Sequence, residues 1–274
     1  MRTRTLVLAA AVAAGAAGAA LAKGPVLGVS SGPQGVAAPS GAVKYVAMGA
    51  RGGATVVRAI RLADRTVVRS RVIRGRFGVA VVAFDGSTGG VSADGRTLVL
   101  SSLDRGETTR FAVLSTSTLR VIKLISLDGL FSFDAVSPDG RIVYVIEYLS
   151  DTDYRVRAVS VTTGALFEQV VVDKREAGEA MTGYPVTRAV SRDGEWAYTL
   201  YGRESAPAFV HALYTSRRGA ICIDLPWTVR RTALMHVRMA LSADGRQLVL
   251  RDRAGKVATI GVGNYEVTAV RKPR

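Results

Sequence analysis

Residues 136–148, VSPDGRIVYVIEY, contain the motif that decides the fold. The Asp139-Gly140 pair favours a tight β-hairpin, because glycine readily adopts the positive φ that such a turn requires. The flanking residues are mostly β-branched or aromatic, as is typical of strands. The segment therefore predicts one strand that ends near Ser137, a short turn, and a second strand over 142–148.

The same Ser-x-Asp-Gly motif occurs four times, and each copy is followed by a β-rich run. The copies begin 45, 54 and 51 residues apart, as VSADGRTLVL from Val91, VSPDGRIVYV from Val136, VSRDGEWAYT from Val190 and LSADGRQLVL from Leu241. A self-similar period of about 40 to 50 residues is typical of the four-stranded blades of a β-propeller.

Each period has room for two further strands. In the second copy these are 154–161 and 166–172, joined by a Thr162-Thr163-Gly164 turn. An untagged first period matches the second, third and fourth strands at 43–48, 55–62 and 66–73, and its innermost strand is either absent or formed by 26–30. The sequence therefore predicts an all-β propeller of about five four-stranded antiparallel blades. Closure by five blades, by a diverged sixth or by oligomerisation stays open.

The strings VSPDGRIVYVIE and VSVTTGALFEQVVV join strand, Asp-Gly turn, strand, strand, Thr-Gly turn and strand. In this order they resemble bacterial exported WD-repeat-like, TolB-like and YVTN-type β-propeller repeat proteins. The resemblance covers roughly Val43 to Lys272. It implies the blade architecture and no particular ligand.

The first 22 residues resemble a secretory signal peptide. Arg2 and Arg4 precede an apolar run over 6–19 and the small-residue pattern Ala20-Leu21-Ala22. Cleavage would leave residues 23–42, a Gly/Pro/Ser-rich linker, in front of a propeller domain over 43–274, without a transmembrane segment. The alternative is a retained membrane anchor, although the apolar run barely reaches the roughly 20 residues that a spanning helix needs. We therefore expect a secreted, periplasmic or cell-envelope protein.

The chain is strongly basic, with a formal net charge of +15, or +13 without Arg2 and Arg4. Such a charge attracts anionic surfaces. For an exported protein these are envelope polymers, anionic glycans and protein partners. Nucleic acid is not expected as a partner, because no long Lys/Arg block is present. The oligomeric state stays open.

Catalytic and metal-binding signatures are weak. The Gly-x-Ser-x-Gly match at 28–32 lies in the linker, with no helix predicted after it. Two histidines and one cysteine provide no cluster of metal ligands, and both His211 and Cys222 are interpreted as core residues. The four motif aspartates are interpreted as turn formers rather than calcium ligands. No cofactor is predicted.

Four arginines occupy equivalent loops between second and third strands, namely Arg51, Arg105, Arg203 and Arg253. In a propeller these loops emerge on the face opposite the Asp-Gly turns, where guanidinium groups would bind carboxylates or phosphates. The alternative is that so basic a chain has arginine in any exposed loop. Asp151 and Asp153 interrupt the pattern in the third blade.

Two long loops, 173–187 and 226–235, should reach the same face, where binding residues often occur. They contribute Tyr184, Trp227 and Arg231 as further candidates, although Trp227 and Arg231 would equally cover the edge of the core. His236 borders an innermost strand and is a candidate for the channel.

The sequence therefore favours an exported, non-enzymatic binding or scaffold module with a basic loop face. The alternative is a propeller enzyme, a lactonase-like hydrolase or a lyase, with its site at the channel mouth. Its nearest polar residues would be Asp134, Arg188, His236 and Arg238, which together do not define a reaction.

Overall fold

The computed structural model describes residues 28–104, 106–150, 153–173 and 181–274. Strands dominate these residues, with one 3-10 turn at Arg51–Gly53 and one short helix, α1, at Arg231–Leu234. No helix in the described part of the chain has the length and apolar character needed to cross a membrane. The predicted signal peptide lies outside the described residues.

The strands form five consecutive antiparallel sheets, numbered 1 to 5 along the chain. The strands before and within sheet 1 are β1 (Val29–Ser30), β2 (Gly32–Ala37), β3 (Val43–Ala50), β4 (Ala54–Arg61) and β5 (Val67–Arg74). Sheet 2 contains β6 (Phe77–Val81), β7 (Thr88–Gly89), β8 (Thr97–Ser102), β9 (Thr108–Ser115) and β10 (Val121–Asp128), and β1 also pairs with β6. Sheet 3 contains β11 (Leu130–Val136), β12 (Ile142–Tyr148) and β13 (Tyr154–Ser160).

The last two sheets each have four strands in chain order. Sheet 4 contains β14 (Tyr184–Val190), β15 (Trp196–Gly202), β16 (Phe209–Tyr214) and β17 (Gly219–Asp224). Sheet 5 contains β18 (Arg238–Leu241), β19 (Gln247–Asp252), β20 (Gly255–Gly261) and β21 (Val267–Ala269). Their order agrees with the predicted blade order, from the innermost strand outward.

Two sequence-based assignments are wrong in detail. The innermost strand of sheet 1 is β2 rather than 26–30, since Val29 and Ser30 pair with β6 of sheet 2. The Gly/Pro-rich sequence of β2 is not typical of a strand, so the sequence pattern does not predict it. Its pairing with β3 contains a register shift between Gly32 and Val36. The predicted fourth strand of sheet 3, 166–172, is reduced to two isolated bridges, Val159 with Leu166 and Val156 with Val171.

The Ser-x-Asp-Gly turns have the predicted role. In the second turn the Ser137 hydroxyl donates to Asp139 Oδ1 at 2.7 Å, and that oxygen also accepts from the Arg141 amide at 3.0 Å. Gly140 has a φ of +72°. The same serine-to-aspartate bond occurs in all four copies, so these aspartates are turn formers.

Each sheet packs against the next through an apolar cluster. Tyr45 and Leu100 belong to the cluster between sheets 1 and 2, and Phe111 and Phe133 to that between sheets 2 and 3. Two clusters join sheets 3 and 4, and a large one joins sheets 4 and 5. Among the described residues none of these clusters joins sheet 5 to sheet 1. We call the two outward faces of these terminal sheets the seam.

The hairpin formed by β6 and β7 contacts sheets 1, 4 and 5 with its tip. At its tip the Gly86 carbonyl accepts from Gln34 of sheet 1 at 2.8 Å. The Phe84 amide donates to Pro185 O of sheet 4 at 3.0 Å, and Arg238 of sheet 5 lies 3.9 Å from Asp85. Sheets 1, 4 and 5 therefore surround one hairpin tip, which places the five sheets around a common axis.

Candidate functional site

The structure describes three of the four predicted loop arginines, and these three differ in exposure and contacts. Arg51 and Arg253 are exposed, while Arg105 lies outside the described residues. Arg203 is held within its own sheet, where it donates to Pro207 O and to Asp224 Oδ1, both at 2.7 Å, and lies over the Phe209 ring at 4.6 Å. Two of the three described arginines are therefore available to a partner.

The candidates from the long loops lie mainly in the core. Trp227 and Tyr184 are only 4% and 8% exposed and pack between sheets 4 and 5. The exposed Arg231 places its guanidinium 4.6 Å from the centre of the Tyr184 ring. His236 is exposed and lies two residues after α1. Of these four candidates, Tyr184 and Trp227 are therefore buried in the core, and only Arg231 and His236 are exposed.

The positive charge is concentrated at the two ends of the chain. Residues 28–75, which form sheet 1, contain eight Lys/Arg and one Asp/Glu. Residues 226–274, which include sheet 5, contain ten Lys/Arg and three Asp/Glu. Residues 76–225, which form the three middle sheets, contain sixteen Lys/Arg and eighteen Asp/Glu. Each terminal sheet segment thus has a net charge of +7, and the three middle sheets together have −2. A charge count for each predicted blade would have revealed this partition from the sequence.

Three cations of sheet 5 lie side by side in what we call the cation row. Arg238 on β18 is the register partner of Arg251 on β19, and Arg251 is the partner of Lys256 on β20. Partners across antiparallel strands share a face of the sheet. This face is opposite to Leu250 and Ile260, which pack against sheet 4. All three cationic side chains are exposed and therefore lie on the seam. Arg238 also donates through Nη1 to Met235 O and Val237 O, both at 2.9 Å, so Arg251 and Lys256 are the less constrained members of the row.

Sheet 1 contributes cations to the other side of the seam. Its Tyr45 and Ala59 face sheet 2, so the alternating residues of the same strands face outward. Outward positions include Lys44, Arg58 and Arg74, and the latter two are exposed. Both faces of the seam are consequently positive, whereas the sequence pattern predicts a basic surface only at the loops.

Comparison with known proteins identifies the architecture. No family model and no curated protein matches the sequence. The β-propeller domain of Swd1 from Myceliophteria thermophila has a TM-score of 0.51 at 12% identity, covering 90% of this chain and 69% of that one. Hydrazine synthase from Kuenenia stuttgartiensis has a TM-score of 0.50 at 12% identity, covering 86% of this chain and 64% of that one.

The chain is a β-propeller. The predicted WD-repeat-like blade architecture is therefore confirmed, and at 12% identity these likenesses concern the fold alone. This chain spans less than two thirds of the hydrazine synthase chain. TolB from Acinetobacter baumannii has a TM-score of 0.44 at 14% identity, covering 84% of this chain and 52% of that one, a likeness too low to bear on function.

A buried polar row runs across the fourth sheet of the propeller. Arg188, Thr199, His211 and Cys222 are register partners on β14 to β17 and therefore share one face. Arg188 Nε donates to Thr199 Oγ1 at 2.9 Å, and His211 is only 2% exposed. The row separates the two apolar clusters between sheets 3 and 4, where buried polar groups require hydrogen-bond partners.

The inner end of the polar row carries an ion pair. Arg188 donates to both the backbone carbonyl and the Oδ1 atom of Asp134 on the facing sheet. Both side chains are almost fully buried, at 6% and 2% exposure. Burial lowers the pKa of His211, which lies two strands farther along the polar row than Arg188, to about 4. The negative charge of Asp134 opposes this shift, and the positive charge of Arg188 adds to it. The imidazole is therefore neutral in the folded protein near pH 7, as expected for a core histidine.

The ion pair lies beside an axial pocket on the side of the Asp-Gly turns. The pocket has a volume of about 440 Å³, and its wall includes Val36, Phe133, Asp134 and Arg188. Asp134 is the one acidic residue in this described wall. Across the described residues no group of three or more His, Cys, Asp or Glu side chains has a metal-binding arrangement.

Proposed function

We propose that this protein is a non-enzymatic binding module of the cell exterior that holds an anionic envelope polymer along its seam. The supporting observation is the cation row of Arg238, Arg251 and Lys256, three exposed like charges in register on one sheet face. Like charges directly opposite one another destabilise a sheet. An anionic ligand would remove this repulsion while it gains attraction from all three groups.

The opposing face of sheet 1 supports an extended ligand rather than a single small anion. Arg58 and Arg74 belong to a sheet with a net charge of +7, as does the segment containing the cation row. A chain of carboxylates, sulfates or phosphates can contact several such cations at once, and the contacts add as in any multivalent interaction. Arg51 and Arg253 in the adjacent loops would extend the surface.

The competing hypothesis of a propeller enzyme has less support. Asp134, which lines the axial pocket, is already paired with Arg188. No second carboxylate accompanies it in the described wall of the axial pocket, although general acid–base hydrolysis commonly uses two. The seam therefore supports binding better than the axis supports catalysis.

The experiment compares two triple variants that remove equal charge. Arg238→Gln/Arg251→Gln/Lys256→Gln neutralises the cation row, while Arg96→Gln/Arg120→Gln/Arg141→Gln neutralises three exposed turn cations of sheets 2 and 3. Retention is measured on immobilised polygalacturonate and dextran sulfate at increasing ionic strength, with neutral dextran as the blank. We expect the first variant to lose at least about tenfold in affinity and the control about twofold or less.

Two results would contradict the proposal. One is equal loss of affinity in both variants, because net charge alone would then explain the binding. The other is failure of the unmodified protein to bind either polymer at low ionic strength, when an unrelated protein of equal charge is retained.

A further inference from the structure

The axial pocket has the properties of a small-molecule site separate from the seam. Its volume of about 440 Å³ lies within the usual range for ligand pockets, roughly 300 to 1,000 Å³. Much of its wall is apolar and comes from sheets 1 to 4, with contributions from Val36, Val91, Phe133, Val136 and Val190. A ligand here would bury an apolar body against several sheets at once.

The polar side of the pocket has unused hydrogen-bonding capacity. Asp134 is 2% exposed, and its Oδ2 atom has no hydrogen-bond partner among the described residues. Arg188 uses three of its five N–H groups, on Asp134 O, Asp134 Oδ1 and Thr199 Oγ1. A buried carboxylate oxygen without a partner is costly, so a ligand that supplies a donor there gains strongly.

The charge balance of the pair selects a neutral ligand. The positive charge of Arg188 offsets the negative charge of Asp134. The one other charged residue in the described wall, Arg192, is exposed, so water screens its charge far more than the charges of the buried pair. An anionic head group would be repelled by Asp134 Oδ2, and a cationic one by Arg188. A neutral group that is both donor and acceptor matches the free oxygen and the remaining guanidinium N–H groups together.

The pair is also fixed in position before any ligand binds. Thr199 holds the Nε atom of Arg188 at 2.9 Å, and the rest of the polar row lies behind it in the core. A group whose rotamer is locked in this way loses little entropy on binding.

We propose that the axial pocket binds a neutral, largely apolar molecule through a carboxamide or similar donor–acceptor group directed at the Asp134–Arg188 pair. The ligand N–H donates to Asp134 Oδ2, and its carbonyl oxygen accepts from Arg188. The apolar remainder packs on Phe133 and the valines of the wall.

The test uses three naphthalene probes of similar size and isothermal titration calorimetry. We expect 2-naphthamide to bind, and N,N-dimethyl-2-naphthamide, which has no N–H, to bind at least about tenfold more weakly because Asp134 Oδ2 stays unpaired. The anion 2-naphthoate should also bind at least about tenfold more weakly. Substitution of Asp134 itself would leave Arg188 buried without its partner, so the pocket is tested from its mouth instead.

Val190→Trp fills the mouth of the pocket at a residue that is 53% exposed and outside the core. Val270→Trp is the matched control at a 59% exposed valine that does not line the pocket. We expect the first variant to abolish 2-naphthamide binding and the second to retain it. Absence of 2-naphthamide binding, equal binding of the dimethyl amide, or unchanged binding in Val190→Trp would each overturn the proposal.

Discussion

Arg251 and Lys256 face each other across β19 and β20 with both cationic side chains exposed on the same side of sheet 5. Arg238 on β18, the other neighbour of β19, continues this row. Its one acidic contact in the described part of the chain is with Asp85, at 3.9 Å. Like charges that face each other across neighbouring strands repel and are expected to lower the stability of the sheet.

Arg251→Gln should therefore stabilise the folded protein. We expect the free energy of unfolding to rise by about 0.5 kcal/mol in low salt, because two like-charged cross-strand pairs are removed. The gain should shrink at high ionic strength as the charges are screened. Urea denaturation at low and at high ionic strength measures this change in the free energy of unfolding. Arg96→Gln, in the exposed turn of sheet 2, is the control. A loss of stability in low salt would contradict the repulsion.

The Asp-Gly turns offer a matched pair for a second prediction. Gly140 and Gly95 have φ values of +72° and +70°, so alanine is strained at both. A Cβ at Gly140 would also clash with Thr97 Oγ1 of the neighbouring sheet, whereas nothing lies within 4 Å of a Cβ at Gly95.

We expect Gly95→Ala to cost about 1 kcal/mol and Gly140→Ala about 1 to 3 kcal/mol more. Equilibrium denaturation of both variants separates the backbone strain that they share from the contact that only Gly140 makes. Equal destabilisation would show that the turns of sheet 3 do not pack against sheet 2 as described.

His211 predicts a pH dependence of stability. Burial lowers its pKa to about 4 in the folded protein, against about 6.5 in the unfolded chain. Below about pH 6.5 the unfolded chain binds a proton that the folded protein does not, so this contribution to stability is complete above that pH and declines toward pH 4.

The loss over that interval should be about 3 kcal/mol in the unmodified protein. In His211→Leu the corresponding dependence should disappear, whereas His236→Leu, at the exposed histidine, should retain it. Urea denaturation between about pH 7.5 and 4 measures all three proteins. A pH profile of His211→Leu that parallels the unmodified protein would contradict the burial of a neutral imidazole.

Asp252 holds the C-terminal segment against sheet 5. Arg271 Nη1 donates to its Oδ2 atom at 2.8 Å, and the Ala254 and Arg274 amides donate at 2.8 and 3.1 Å. The hydrogen bond from Arg271, followed by the two amides, keeps the pKa of Asp252 well below its usual range. This contribution to stability is present above the unfolded pKa of about 4 and is lost as the pH falls below it.

Arg271→Gln should therefore raise the pH at which the protein unfolds in acid, since Asp252 would then protonate more readily. Lys272→Gln, at the exposed neighbouring residue, is the control and should leave that pH unchanged. Acid titration followed by circular dichroism provides the measurement. An unchanged acid midpoint in Arg271→Gln would show that the C-terminal segment does not depend on this pair.

The sequence alone determined the blade repeat, the turns and most strand positions in this protein. These features depend on residues close together in the chain, as in the hydrogen bonds of Ser137 with Asp139 and of Asp139 with Arg141. The turn conformation follows directly from such local chemistry. By contrast, β2 was missed because a strand with Pro33 and Gly35 looks like a linker until its pairing with β3 is known.

Only the tertiary structure decided which polar groups meet. Asp134 and Arg188 are 54 residues apart, and both are ordinary members of innermost strands until two sheets pack face to face. The cation row likewise depends on register, since Arg251 and Lys256 share a face only through the bulge after Leu250. Contacts of this kind depend on packing geometry between sheets, which local sequence patterns do not encode.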